Sequence, residues 1–276
     1  MKQQTEKAEA LLALIREGKS LTFGQQLKLT AQLSIPSIVA QLSSIVMQYI
    51  DASMVGSLGA DASASIGLVS TTTWLFGGLC MAATAGFSVQ VAHRIGANDF
   101  TEARAVLRQG LVAIGLFGLT LALIGVSISG FLPGWLGGDE AIRRDASLYF
   151  FIYALFLPVL QMNFLAGSML RCSGNMHMPS LAGVLMCVLD VIFNFFLIFP
   201  SRDIRLGGFT LFMPGAGLGV EGAALGTVLA ETIAAGLLLW FLLTRSPQLR
   251  LTKEHGRFRP TAATLRKAHH TVRPIG

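Results

Sequence analysis

The sequence predicts an all-α polytopic membrane protein with six transmembrane helices. Three observations predict it: a scarcity of charge, six long apolar windows, and a complete lack of Lys, Arg and His inside those windows. Of 276 residues, 53% are hydrophobic and 13% charged, the latter about half the usual ~25% of a globular domain. The mean hydropathy is +0.61. Too few polar residues are present to cover a soluble core of this size, which argues against a disordered, collagen-like or nucleic-acid-binding chain.

Residues 1–32 form a polar segment of mixed charge without a signal-peptide pattern, in which Ala8–Ile15 (AEALLALI) is expected to lie as a short amphipathic helix on the membrane surface. The six-helix body is expected over 33–244, with apolar windows at about 33–58, 62–90, 111–136, 146–170, 180–200 and 217–244. Each reaches the ~20 residues that a helix needs to cross a bilayer. No window alternates as a barrel strand would, and isolated strands leave their backbone groups unpaired in lipid, so helices are expected. Pro36 and Pro158 fall inside the first and fourth windows and should kink them. Three cysteines, Cys80, Cys172 and Cys187, have no paired spacing.

The formal charge of +6 is explained by topology. With the N-terminus in the cytosol, 17 Lys and Arg fall on the cytosolic side and four (Arg143, Arg144, Arg202 and Arg205) on the other. The positive-inside bias therefore places both termini in the cytoplasm, in a plasma (inner) membrane, with membrane lipid as a partner and no nucleic acid required.

Four acids remain inside the windows: Asp51, Asp190, Glu221 and Glu231. An acid near a helix centre costs about 2.5–3.5 kcal/mol on insertion scales, so each needs a reason. Glu221, at a glycine-rich helix start, is accounted for by the headgroup region. In the first window Ser34, Ser37, Gln41, Ser44, Gln48 and Asp51 are spaced 3, 4, 3, 4 and 3, which puts them on one helical face. The fifth repeats the device with Gly183, Cys187, Asp190 and Asn194, and in the sixth Thr227 and Glu231 lie one turn apart. Acids without basic partners suit a cation or proton site; interhelical hydrogen bonds are the alternative. All five histidines fall outside the windows, and no H-E-x-x-H, G-x-S-x-G or P-loop pattern is present, so no enzyme is expected.

Four motifs in order carry a family resemblance. Pro36 is followed fifteen residues later by Asp51 and then DASMVGSLG; QVAHRIGANDFTEAR precedes the third window; LRCSGNMHMPS (170–180) precedes the fifth; GLGVEGAALGT (217–227) opens the sixth. Together these resemble the first half of the multidrug and toxic compound extrusion (MATE) transporters. The resemblance implies one six-helix lobe of a twelve-helix antiporter that exports organic cations in exchange for H⁺ or Na⁺, with no other cofactor. It implies a cation site built from Asp51, Asp190, Asn194 and Thr227. Gln41, Ser44, Gln48, Asn163 and Glu231 are expected along the cleft, and Pro36 at a hinge in the first helix. The family pattern places Asn before Asp on the fifth helix, whereas here Asp190 comes first.

Residues 245–276 are expected to form a cytoplasmic linker that opens a second repeat. Leu265–Pro274 (LRKAHHTVRP) echoes Leu27–Pro36 (LKLTAQLSIP), which reads as a truncated chain whose second six-helix lobe is missing or separate. Two other readings stay open: a lipid-linked or polysaccharide flippase of the same superfamily, which would favour a basic cleft, and a non-transporting membrane fragment or partner.

Overall fold

The computed structural model describes residues 22–206 and 209–251. The expected surface helix at 8–15 and the repeat echo at 265–274 lie outside the described residues.

Apolar helices follow one another in the expected order. Helix α1 (Phe23–Gly56) starts where the Gln25 side chain turns back to accept the Thr22 backbone N–H at 2.9 Å. It runs unbroken through Pro36; the loss of one N–H is tolerated within a long membrane helix. Gly59, at φ +119°, makes the tight turn into α2 (Ala60–Gly96). The Asp99 carboxylate accepts the Glu102 N–H at 3.1 Å and caps α3 (Phe100–Ile128). A short α4 (Leu132–Trp135) leads to α5 (Glu140–Leu155), capped by Asp139, and α6 (Leu157–Cys172) continues from it at an angle of 48°. This bent pair is the fourth span, broken beside Pro158 as the sequence predicts. Then follow α7 (His177–Ile198), a hairpin of antiparallel strands β1 (Pro200–Leu206) and β2 (Phe209–Ala216), and α8 (Gly219–Thr244).

Successive spans run in opposite directions, so the hairpin shares one end of the bundle with the C-terminus of α1 and the N-terminus of α8. Arg94, Arg104 and Arg171 lie at the opposite end, where Arg104 Nε donates to the Gln248 backbone carbonyl at 3.1 Å. Two larger apolar clusters fill most of the bundle, beside a third of Val55, Ala62, Ile198, Val220 and Ala223 at the hairpin end. One, toward the arginine end, gathers Phe87, Leu107, Leu165, Met169 and Leu242. The other joins α2, α3 and the fourth span through Val69, Phe76, Leu121, Phe150 and Leu157. Helix α1 stands apart: it packs chiefly along α7, and Ile38, Val46 and Tyr49 are exposed, as suits a helix facing lipid or a cleft.

Gln161 is fully buried at the elbow of the fourth span; its Nε2 donates to the Cys80 carbonyl and the Thr84 hydroxyl of α2, both at 3.0 Å. Gln161→Ala removes two interhelical hydrogen bonds and leaves a cavity, a loss expected to total about 1–2 kcal/mol. A lower thermal midpoint of the detergent-solubilised chain checks it.

Candidate ion and substrate site

The site is built where α1, α7 and α8 meet near the hairpin end. Spacing of four residues on α7 puts Asp190 and Asn194 one turn apart, and both are buried, at 0% and 1% exposure. The Asn194 Nδ2 donates to Asp190 Oδ2 at 3.1 Å and to Asp51 Oδ1, from α1, at 2.9 Å. One amide thus clamps two carboxyl groups from two helices. The other oxygens, Asp190 Oδ1 and Asn194 Oδ1, are buried and make no hydrogen bond. Oxygens left in this state are costly unless something binds them.

From α8, Thr227 faces Asp190, while its hydroxyl donates to the Ala223 carbonyl at 3.1 Å. A cavity of about 390 Å³ opens beside the clamp, lined by Gln48, Asp51, Tyr149, Asn194 and Thr227. All four residues of the expected cation site therefore come together. Asp190 itself lies behind the cavity wall.

The placement of Asn194 depends on a glycine pair on the facing helix. A Cβ at Gly222 would run into the Leu197 backbone, and one at Gly226 into the Asn194 carboxamide. Small residues four apart let two membrane helices approach closely, and here that approach seats α8 against the clamp.

A second cavity, of about 420 Å³, lies toward the arginine end. Gln41, Asn163, Arg171, Ser180 and Met186 are among its lining residues. Asn163 Nδ2 donates to Glu231 Oε1 at 2.8 Å, so these two cleft candidates form a pair. Gln41 and Gln48 are each exposed on α1 and open into different cavities; Ser44, between them, is half-buried and lines neither.

Two lining residues carried no readable signal. Tyr149 sits in an apolar stretch, where an aromatic ring looks like packing. Arg171 follows the fourth window in linear order, yet its guanidinium folds back over Gly167 into the second cavity.

The MatE family profile matches residues 36–196, more than half of the chain. This chain belongs to the MATE family. It is an integral membrane protein, and MATE proteins are transporters. Among curated MATE relatives, the FAD transporter of Shewanella oneidensis is 22% identical over 220 residues, which cover 79% of this chain and 46% of that protein. The probable multidrug resistance protein NorM of Caulobacter vibrioides is 26% identical over 217 residues, 77% of this chain and 43% of its own length. The chain spans about half the length of these relatives.

Solved MATE structures share the fold. A MOP-superfamily transporter from Pyrococcus furiosus, whose binding pocket is described as of reverse polarity, superposes with a TM-score of 0.73 at 23% identity, over 92% of this chain and 54% of that one. A MATE structure in the bent conformation gives 0.72 at 23% identity, over 92% and 55%. The six spans are thus arranged as one half of the twelve-helix MATE fold.

Proposed function

We propose that this chain forms the cation-coupled lobe of an antiporter that exports organic cations in exchange for H⁺ or Na⁺. The observation that carries the reading is the Asn194 amide held between Asp51 and Asp190, with two buried oxygens beside it that make no hydrogen bond. Acidic and amide oxygens without a basic partner form a hard-oxygen donor set for Na⁺. The two acids also provide a place for a proton. The distribution of Lys and Arg supports an inner-membrane orientation with both ends of the lobe in the cytoplasm, so the first cavity faces outward and the Arg171 cavity inward. A second six-helix unit supplies the opposing wall of the cleft, and Pro36 is the proposed bending point of α1. Asp51→Asn in the complete transporter is expected to stop ion-driven efflux of a cationic dye from pump-deficient cells. Efflux at the unsubstituted rate overturns the proposal.

A second reading concerns the substrate's charge. Arg171 puts a guanidinium beside Asn163 and Gln41 in the inward cavity, which suits a substrate with an anionic group, and one relative is named an FAD transporter. Competition between the dye and flavin nucleotides, repeated with Arg171→Ala, separates the two. Loss of flavin competition alone favours the anionic substrate.

A further inference from the structure

Followed along each helix, the two cavities stop about two turns short of each other, with one acid midway. On α7, Asn194 lines the outward cavity and Met186 the inward one, and Asp190 lies between them. On α8, Thr227 lines the outward cavity and Ala234 the inward one, and Glu231 lies between. The partition is therefore about two helical turns thick, and each helix contributes an acid to its middle, one turn from either cavity. Glu231 sits midway along α8, where an acid without a function carries its full insertion cost. Asn163 of the inward cavity holds its Oε1 at 2.8 Å. The ionisable groups near enough to interact electrostatically with Glu231 are Asp190 of α7, Cys80 of α2 and Tyr153 of α5. Among the described residues no ion pair involves Glu231. Arg171 is the basic residue of the cavity that Asn163 lines.

We propose that Glu231, oriented by Asn163, is a second proton station that passes the proton of Asp190 into the inward cavity. The proposal rests on the cation-site reading above. In the step, the O–H bond of the Asp190 carboxylic acid breaks and an O–H bond forms on the Glu231 carboxylate. Glu231 then releases the proton to water in the Arg171 cavity. Asp190 is left ionised, ready for a cation or a new proton from the outward side. Charge is conserved at each stage, and no redox partner is needed. Tyr153 takes no part, because its hydroxyl donates to the Thr73 carbonyl at 2.9 Å. The Asn163 amide hydrogen bond favours the ionised acceptor before transfer. It thereby makes Glu231 a positioned acid–base group rather than a lone buried carboxyl.

Infrared difference spectroscopy tests this on the full chain in lipid membranes, with Na⁺ or tetraphenylphosphonium as the added cation. The unsubstituted chain is expected to show two bands on cation addition, the lost protonated-carboxyl band of Asp190 and a shifted carboxylate band of Glu231. Glu231→Gln removes one of them, and Asp190→Asn removes the other. Asn163→Ala keeps both but shifts the band that Glu231→Gln removes, a readout that a purely structural side chain would not move. Amide bands in the same spectra report that each variant is folded, and if Glu231→Gln does not fold, the Asn163→Ala shift decides. A Glu231→Gln spectrum that superimposes on the unsubstituted one, or an Asn163→Ala spectrum without a shift, overturns the second station. If Asp51→Asn and Asp190→Asn also leave the spectrum unchanged, the cation-site reading falls with it. If those two erase bands and Glu231→Gln does not, the second station alone falls.

Discussion

Asp190→Asn in the complete transporter is expected to lower ion-driven dye efflux by about a hundredfold or more, the scale of a lost proton-transfer group. The substitution is nearly isosteric, so packing survives while the site loses a negative charge at 0% exposure. What remains is Asp51 with two amides, a set that holds a neutral proton adduct poorly and a cation more weakly. The informative companion is the exchange Asp190→Asn with Asn194→Asp. Both positions are buried on the same face of α7, one turn apart, and the exchange restores one carboxyl and one amide there in the order usual for the family. Efflux is expected to recover to within about tenfold of the unsubstituted transporter, because charge and donor count return while distances to Asp51 change by less than a helical turn. Dye efflux and Na⁺ or pH dependence, measured side by side, check both. A single variant with full activity, or an exchange as dead as the single variant, contradicts the assignment of the cluster as a charge-counting site.

The second large effect belongs to a residue with no side chain. Gly226→Leu pushes a branched side chain into the space of the Asn194 carboxamide. Overpacking of this kind costs about 1–3 kcal/mol, and it also breaks the hydrogen bonds that Asn194 makes to Asp51 and Asp190. Cation-induced stabilisation should disappear along with some thermal stability. Gly236→Leu is the control: a Cβ there meets nothing within 4 Å, and cation-induced stabilisation is expected to persist. Thermal unfolding of the solubilised chain with and without Na⁺ or a cationic dye separates the two variants. Equal cation responses would detach Gly226 from the site.

Much of this architecture was legible in the residue order. Six apolar windows foretold the spans, and Pro158 the broken fourth one, because a missing N–H and a steric clash act locally whatever the surroundings. The cluster was legible in two steps: helical spacing put Asp51 on the polar stripe of the first window and Asp190 with Asn194 on one face of the fifth, and the family resemblance implied the full set with Thr227. The hairpin at 200–216 was not, since its short strands between two spans carry no alternation strong enough to stand out. Tyr149 was hidden as one aromatic ring among apolar neighbours. Arg171 was hidden because a long side chain reaches back from where its Cα lies. Pro36 lies within a continuous α1, which a membrane helix tolerates at the loss of one N–H.

The elbow between α5 and α6 has a mechanical consequence. Tyr149, on the first arm, borders the cavity beside Asp51, and Asn163, on the second, borders the Arg171 cavity. Proline interrupts the ladder of backbone bonds between the arms, so torque applied at one end of the fourth span is not carried as twist to the other. Each cavity can change its width on its own arm, with Gln161 as the bearing that keeps the joint against α2. A helix that would otherwise act as a rigid rod through both chambers is instead a jointed one, and the two chambers need not open together.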